Sequence, residues 1–280
     1  MLEVMTIPSH QLNDGSRIPA LGLGTYGLRG DEGISSLVAA IRAGYRLLDT
    51  ALNYENEREV GEAVRRSGLD REELFVTTKL PGRHHGYEET LASFEESRSN
   101  LGLDHVDLYL IHWPLPKVGK YLDSWRAMIE LRERGLVRSI GVSNFLPEHL
   151  DLLEAETGVV PAVNQVELHP RFPQAEQREY HAAHGIVTES WSPLGKGSDL
   201  LEQDAVRAAA EAHGVTPAQA VLRWHIEVGA LPIPKSGDPE RQAQNLDVFG
   251  FELTTEEVAS ITRLETGRLW DADPATHEEF

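Results

Sequence analysis

The chain of 280 residues contains no cysteine. That excludes disulfides, thiolate nucleophiles and cysteine-ligated zinc together. No apolar stretch approaches the ~20 residues that a membrane span requires. The opening segment Met1–Ser9 has no basic start followed by an apolar run, so no secretory leader is expected. Positive charge is scarce: 26 Lys and Arg stand against 45 Asp and Glu, a formal net charge of −19. Such a body repels nucleic acid and anionic lipid, so neither is expected as a partner. A cytoplasmic location is expected. Any phosphate site must then be a local basic spot on an acidic surface.

No low-complexity tract, linker or long repeat divides the chain, and 40% hydrophobic with 25% charged residues is the balance of a folded protein. A single α/β barrel takes roughly 250 residues, so the length suits one domain spanning 1–280. Eight short apolar runs read as strands: Pro19–Leu23, Arg46–Asp49, Leu74–Lys79, Val106–Ile111, Ser139–Val142, Ala162–Val166, Ile186–Glu189 and Ala230–Pro232. Several lack alternation, as strands covered on both faces should. Amphipathic stretches lie among them: Ile34–Ala43, Glu57–Ser67, Tyr87–Leu101, Tyr121–Arg134, Glu148–Glu156, Gln174–His184, Leu201–His213 and Ala218–Glu227. Strand–helix alternation without a break in composition predicts a closed (β/α)8 TIM barrel. Ahead of it, His10–Ile18 predicts a small β-hairpin around Asn13-Asp14-Gly15.

The chemistry of such a barrel sits at the C-terminal ends of its strands. Asp49, Lys79, His112, Ser143, Asn144, Gln165, Trp191 and Lys235 all fall at or just past those ends. The sharpest group is Asp49, Tyr54, Lys79 and His112. A phenol titrates near 10 and is a poor acid at neutral pH. A Lys79 ammonium beside Tyr54 favours the tyrosinate, and Asp49 holds Lys79, since an unpaired buried charge is costly. His112 can orient and polarise a carbonyl. The set suits hydride transfer to a carbonyl, with Tyr54 supplying the proton.

In their joint order and spacing the motifs resemble the aldo-keto reductase family along nearly the whole chain. They are Gly44-Tyr45-Arg46, Asp49-Thr50-Ala51, Tyr54 through Gly61, Lys79-Leu80, Asp107 through Pro114, Gly141 through Phe145, Asn164 through Glu167 with His169-Pro170, Ser192-Pro193-Leu194-Gly195 and Ile233-Pro234-Lys235-Ser236. Among subgroups the chain most resembles the bacterial 2,5-diketo-D-gluconate-reductase-like enzymes. The resemblance implies an oxidoreductase that uses NADPH as cofactor on a small-molecule carbonyl substrate, and a monomer like many barrels of the family. It implies Tyr54 as proton donor supported by Lys79 and Asp49, with His112 orienting the substrate. It implies that Ser143, Asn144 and Gln165 hold the nicotinamide carboxamide and that Trp191 stacks on the ring. Ser192, Leu194 and Gly195 join the cofactor-binding set, as do Thr25, Tyr26 and Asp49 at the barrel mouth. Lys235, Ser236 and Arg241 would take the adenosine 2′-phosphate, with Gln244 and Asn245 beside the adenine. A helix beginning near Pro239 is a sound place for that phosphate. Tyr26, Tyr54, His112 and Trp113 are the expected substrate walls. Trp191, Gln244 and Tyr26 depart from the residues commoner in the family. Short segments after Trp113 and after Arg268 suggest an open pocket.

Three motifs mislead. Gly22-Leu23-Gly24-Thr25-Tyr26-Gly27 spells G-x-G-x-x-G with Asp49 ending the next strand, mimicking a dinucleotide fingerprint, yet the alternation runs on with no second region for catalysis. His84-His85 and the pair His181 and His184 have no third metal ligand nearby and read as solvated. Gly141 through Phe145 lacks the second glycine of a nucleophile elbow. Two other functions fit the same residues: a barrel aldolase with Lys79 as Schiff-base lysine, and a nucleotide-sensing module that turns over slowly.

Overall fold

The computed structural model describes residues 7–279, so the reading of Met1–Ser9 falls largely outside the described residues. A hairpin comes first, β1 (Ser9–Gln11) antiparallel to β2 (Arg17–Pro19). Eight parallel strands follow: β3 (Leu23–Gly24), β4 (Leu47–Asp49), β5 (Phe75–Leu80), β6 (Val106–Ile111), β7 (Val137–Ser143), β8 (Val163–Glu167), β9 (Val187–Trp191) and β10 (Ala230–Pro232). They pair in strict sequence order from β3 to β10. The seam is closed by the Gly22 N–H donating to Pro232 O at 3.1 Å and the Gly24 N–H to Pro234 O at 3.0 Å. This is the expected (β/α)8 barrel with its N-terminal hairpin.

Glycine is required at that seam. A Cβ on Gly22 would lie 2.7 Å from Leu47 side-chain atoms and closer still to Ile233. The G-x-G stretch therefore serves close approach of strands and carries no dinucleotide fingerprint.

The first strand is shorter and later than Pro19–Leu23, because Pro19 belongs to the hairpin. The helices that cover the sheet are α1 (Gly30–Ala43), α2 (Glu57–Ser67), α3 (Tyr87–Leu101), α4 (Tyr121–Glu133), α5 (Pro147–Thr157) and α6 (Ala175–Ala183). Beyond them come α7 (Asp204–His213), α8 (Pro217–Glu227), α9 (Pro239–Leu246) and α10 (Thr255–Thr262). Both α7 and α8 fall between β9 and β10, so the sequence count of eight helices includes an insertion. The helix after the last strand is α9. Val206, Ala209 and Ala210 of α7 share an apolar cluster with Trp224 of α8 and Ile261 of α10, so the insertion is a satellite on the barrel's flank.

Strand parity decides what points inward. Leu47, Leu108, Leu110, Val163, Leu231 and Ile233 form one buried cluster, joined by Leu12 and Ile18 from the hairpin. Ser16 Oγ meets Ser139 Oγ at 2.8 Å and Asn13 Nδ2 donates to Pro161 O at 3.0 Å, both near strand beginnings. The hairpin thus plugs the N-terminal end of the barrel. Two residues on from these inward positions come Asp49, His112 and Gln165, so a period of two carries the polar residues to the open end.

Helix packing sets another steric limit. Gly61 in α2 lies against α3, and a Cβ there would overlap the Leu101 carbonyl. Gly61→Ala is expected to cost ~1–3 kcal/mol through overpacking, read as a lower urea midpoint.

Candidate active site

The open end of the barrel holds a cavity of about 920 Å³ lined by Thr25, Tyr26, Asp49, Tyr54, His112, Trp113, Asn144, Gln165, Trp191, Ser192, Leu194, Gly195 and Lys235. A second cavity of about 540 Å³ adjoins it through Leu194, Leu201 and Lys235, and is walled by Ser236, Arg241, Gln244 and Asn245. Together they make one groove from Tyr54 to Arg241. Ser143 and Lys79 are the exceptions among the expected residues, lining neither cavity; Lys79 lies beneath the mouth and Ser143 behind Asn144. Ser143 is buried, its Oγ donating to Gln165 O at 2.8 Å and accepting from Asn144 Nδ2 at 3.0 Å.

At the base sits a buried ion pair. Lys79 ends its inward run on β5, has no solvent exposure, and places Nζ 2.6 Å from Asp49 Oδ1 and 3.0 Å from Thr50 O. Tyr54 Oη is 3.5 Å from the same Nζ, which also stands 5.0 Å from the centre of the Tyr54 ring. Burial works against the Lys79 charge, but Asp49 and Tyr54 outweigh it and lift its pKa above the ordinary value. A charged, enclosed ammonium is a poor Schiff-base nucleophile, which removes the observation that would favour the aldolase.

One expectation is corrected here. Lys79 does draw the Tyr54 pKa down, but desolvation is larger and raises it above the ordinary phenol value. In the free protein the balance therefore favours the protonated phenol of Tyr54 over the phenolate.

Gln165 links the ion pair to a residue that sequence reading missed. Its Nε2 donates to Asp49 Oδ2 at 2.9 Å and to Glu189 Oε2 at 2.7 Å. Burial, then repulsion from Asp49, push the Glu189 pKa up to about 8. Parity along β9 was the available signal, since Glu189 lies two residues before Trp191. Higher up, Trp191 Nε1 donates to Asn144 Oδ1 at 2.8 Å, and Asn144 Nδ2 donates to His112 O at 3.0 Å. Tyr26 and Tyr54 meet edge to face at 5.2 Å.

The far end of the groove is basic. Lys235 and Arg241 are exposed, and neither side chain has an acidic partner among the described residues. The start of α9 is partly occupied by its own cap, because Asp238 Oδ1 accepts from the Arg241 N–H at 3.0 Å. A phosphate there would rest on the Lys235 and Arg241 side chains more than on helix N–H groups. Unpaired cations on an acidic body, joined by a groove to the flat wall of Trp191, fit a phosphorylated dinucleotide.

Two further readings are corrected. The segment after Arg268 does not leave the mouth open: Trp270 and Ala272 line the cavity, and the Trp270 ring lies 5.5 Å from Trp191. His85 and His181 are buried, not solvated. His181 is held by Asn164, Gln177 and Thr188, and its burial lowers its pKa to about 3.

The model of the Aldo/keto reductase family matches residues 20–266. The chain belongs to the aldo/keto reductase family. It is 61% identical to the 2,5-diketo-D-gluconic acid reductase B of a Corynebacterium species, over 98% of this chain and 99% of that one. An aldo/keto reductase from Brucella melitensis superposes with a TM-score of 0.89 at 49% identity, covering 93% of this chain and 100% of that one. A variant of Gox0644 solved in complex with NADPH gives 0.93 at 45% identity, covering 98% and 99%. This aldo/keto reductase is an oxidoreductase that reduces carbonyl groups with NADPH. No helix among the described residues is long and apolar enough to cross a membrane.

The raised Glu189 pKa has a signed consequence. Its stabilising neutral form is full below the ordinary carboxyl range and is lost as pH climbs toward about 8. Glu189→Gln should therefore gain thermal stability relative to the parent as pH rises from about 5 to 9. A melting-temperature difference that stays flat across that range would contradict the buried acid.

Proposed function

We propose that Tyr54 Oη gives the proton that completes carbonyl reduction, and that the substrate is a keto-sugar acid or a related dicarbonyl. The observation that carries the reading is the phenol, ammonium, carboxylate and imidazole gathered at the mouth of a groove whose far end is basic. Bound NADPH supplies the hydride. Trp191 offers a flat wall for the nicotinamide, with Asn144 and Gln165 beside it and Ser143 holding both. Ser192, Leu194 and Gly195 line the passage, and Thr25, Tyr26 and Asp49 close its near side. Lys235, Ser236 and Arg241 would hold the 2′-phosphate, with Gln244 and Asn245 at the base.

The substrate carbonyl sits between Tyr54 and His112, against Tyr26 and Trp113. Burial keeps the Tyr54 proton in place until negative charge develops on the carbonyl oxygen. Lys79 then stabilises the phenolate left behind, and Asp49 keeps Lys79 aimed. The 2,5-diketo-D-gluconic acid reductase B at 61% identity supports the dicarbonyl class. We read the chain as one barrel domain acting as a cytoplasmic monomer.

General acid catalysis contributes ~10²–10⁴-fold, so Tyr54→Phe should lose that much turnover while NADPH binding by fluorescence is unchanged. A fully active variant would remove Tyr54 from the mechanism. Arg241→Ala should weaken NADPH ~10–100-fold, the scale of a hydrogen bond to a charged group, with little effect on NADH. Equal losses for both cofactors would count against a 2′-phosphate contact.

A further inference from the structure

The stretch after α10 crosses the barrel mouth. Its Trp270 lies beside His169 and Trp191, and its His277 ring leans on Trp113, tilted by 44° with centres 4.1 Å apart. Glu278 reaches Lys117 at 3.6 Å. This delivers Glu279 into a fitted cradle on the far side of His112. Asn53 Nδ2 donates to Oε1 at 2.7 Å, and the Gly82 N–H donates to Oε2 at 3.0 Å. His112 Nδ1 stands 2.7 Å from Oε1, off the axis of the ring N–H. Gly82 is part of the fit, since a Cβ there would collide with the Glu279 carbonyl oxygen. Burial disfavours the Glu279 charge, but His112, the Gly82 N–H and Asn53 hold its pKa down to about 2. Glu279 is therefore a carboxylate throughout the working range.

We propose that Glu279 is a positioning residue for His112. A bare ring nitrogen 2.7 Å from a carboxylate would be repelled, so the contact requires the proton on Nδ1. Turning the ring over would set carbon against the carboxylate and forfeit the pair. Both effects hold Nδ1 inward and leave Nε2 as the nitrogen that reaches the cavity. Carboxylates that orient a working imidazole through its second nitrogen act in the same way elsewhere. The inference rests on the reading of His112 as the group that orients the carbonyl.

The test uses the full chain with 15N-labelled histidine, the His112 signals being assigned by their loss in His112→Gln. The ring-nitrogen shifts report which nitrogen carries the proton. Glu279→Gln removes the charge, and Gly82→Ala displaces the tail without altering any ionisable group. Glu279→Asp keeps the carboxylate. In Glu279→Gln and Gly82→Ala the Nδ1 signal should move toward a tautomer mixture and kcat should fall roughly 10–100-fold, the scale for removing the outer partner of a functional histidine. NADPH affinity should stay unchanged, and Glu279→Asp should recover part of the loss. Unmoved ring signals in both variants would overturn the proposal, whatever happens to turnover. So would a changed tautomer with full turnover. Failure of the proton-donor reading is a separate result, seen as full activity in Tyr54→Phe whatever the tail variants do.

Discussion

The site depends on one enclosed ion pair. Lys79 and Asp49 meet at 2.6 Å inside the barrel with almost no contact with water. Breaking a buried pair by removing one partner typically costs ~3–5 kcal/mol, because the other charge is left stranded. The two residues therefore cannot drift apart, and everything hung on them inherits their rigidity. Thr50 O and Tyr54 Oη are set by the ammonium, and Gln165 is set by the carboxylate. A well-packed apolar pair would serve stability equally well. In the proposed proton transfer the charges serve chemistry: the ammonium would be the counter-charge for the phenolate that Tyr54 becomes during reaction.

Most of this was legible because barrel geometry obeys a parity rule. Once β4, β5, β6 and β8 are recognised, a step of two leads from apolar core to Asp49, His112 and Gln165, and two such steps lead from Phe75 past Thr77 to Lys79. The motifs sat where strand ends had to be, and G-x-G-x-x-G was separable from a true fingerprint because the alternation continued past it. The insertion of α7 was not legible, since its amphipathic pattern is the same as that of a barrel helix. What differs is which face it covers, a property of packing and not of periodicity.

Two kinds of information escaped. The balance of forces on Tyr54 needed a burial that no sequence displays: the sign of Lys79's influence was right, and its magnitude was outweighed by desolvation. Glu279 escaped for a different reason. It lies 167 positions beyond His112 in the chain, follows no strand or helix, and belongs to a tail whose path is set by Trp270 and His277 finding aromatic partners. Contacts of that range leave no local pattern to read.

The hairpin plug has a consequence for traffic. Leu12 and Ile18 join the apolar side chains that fill the barrel's other end, so among the described residues the groove opens at one end only, and substrate and product share that opening. The spent dinucleotide departs through the same opening, past the tail draped over it. Stoppering one end thus leaves durability to the hairpin and exchange to the rim, so the two can vary independently.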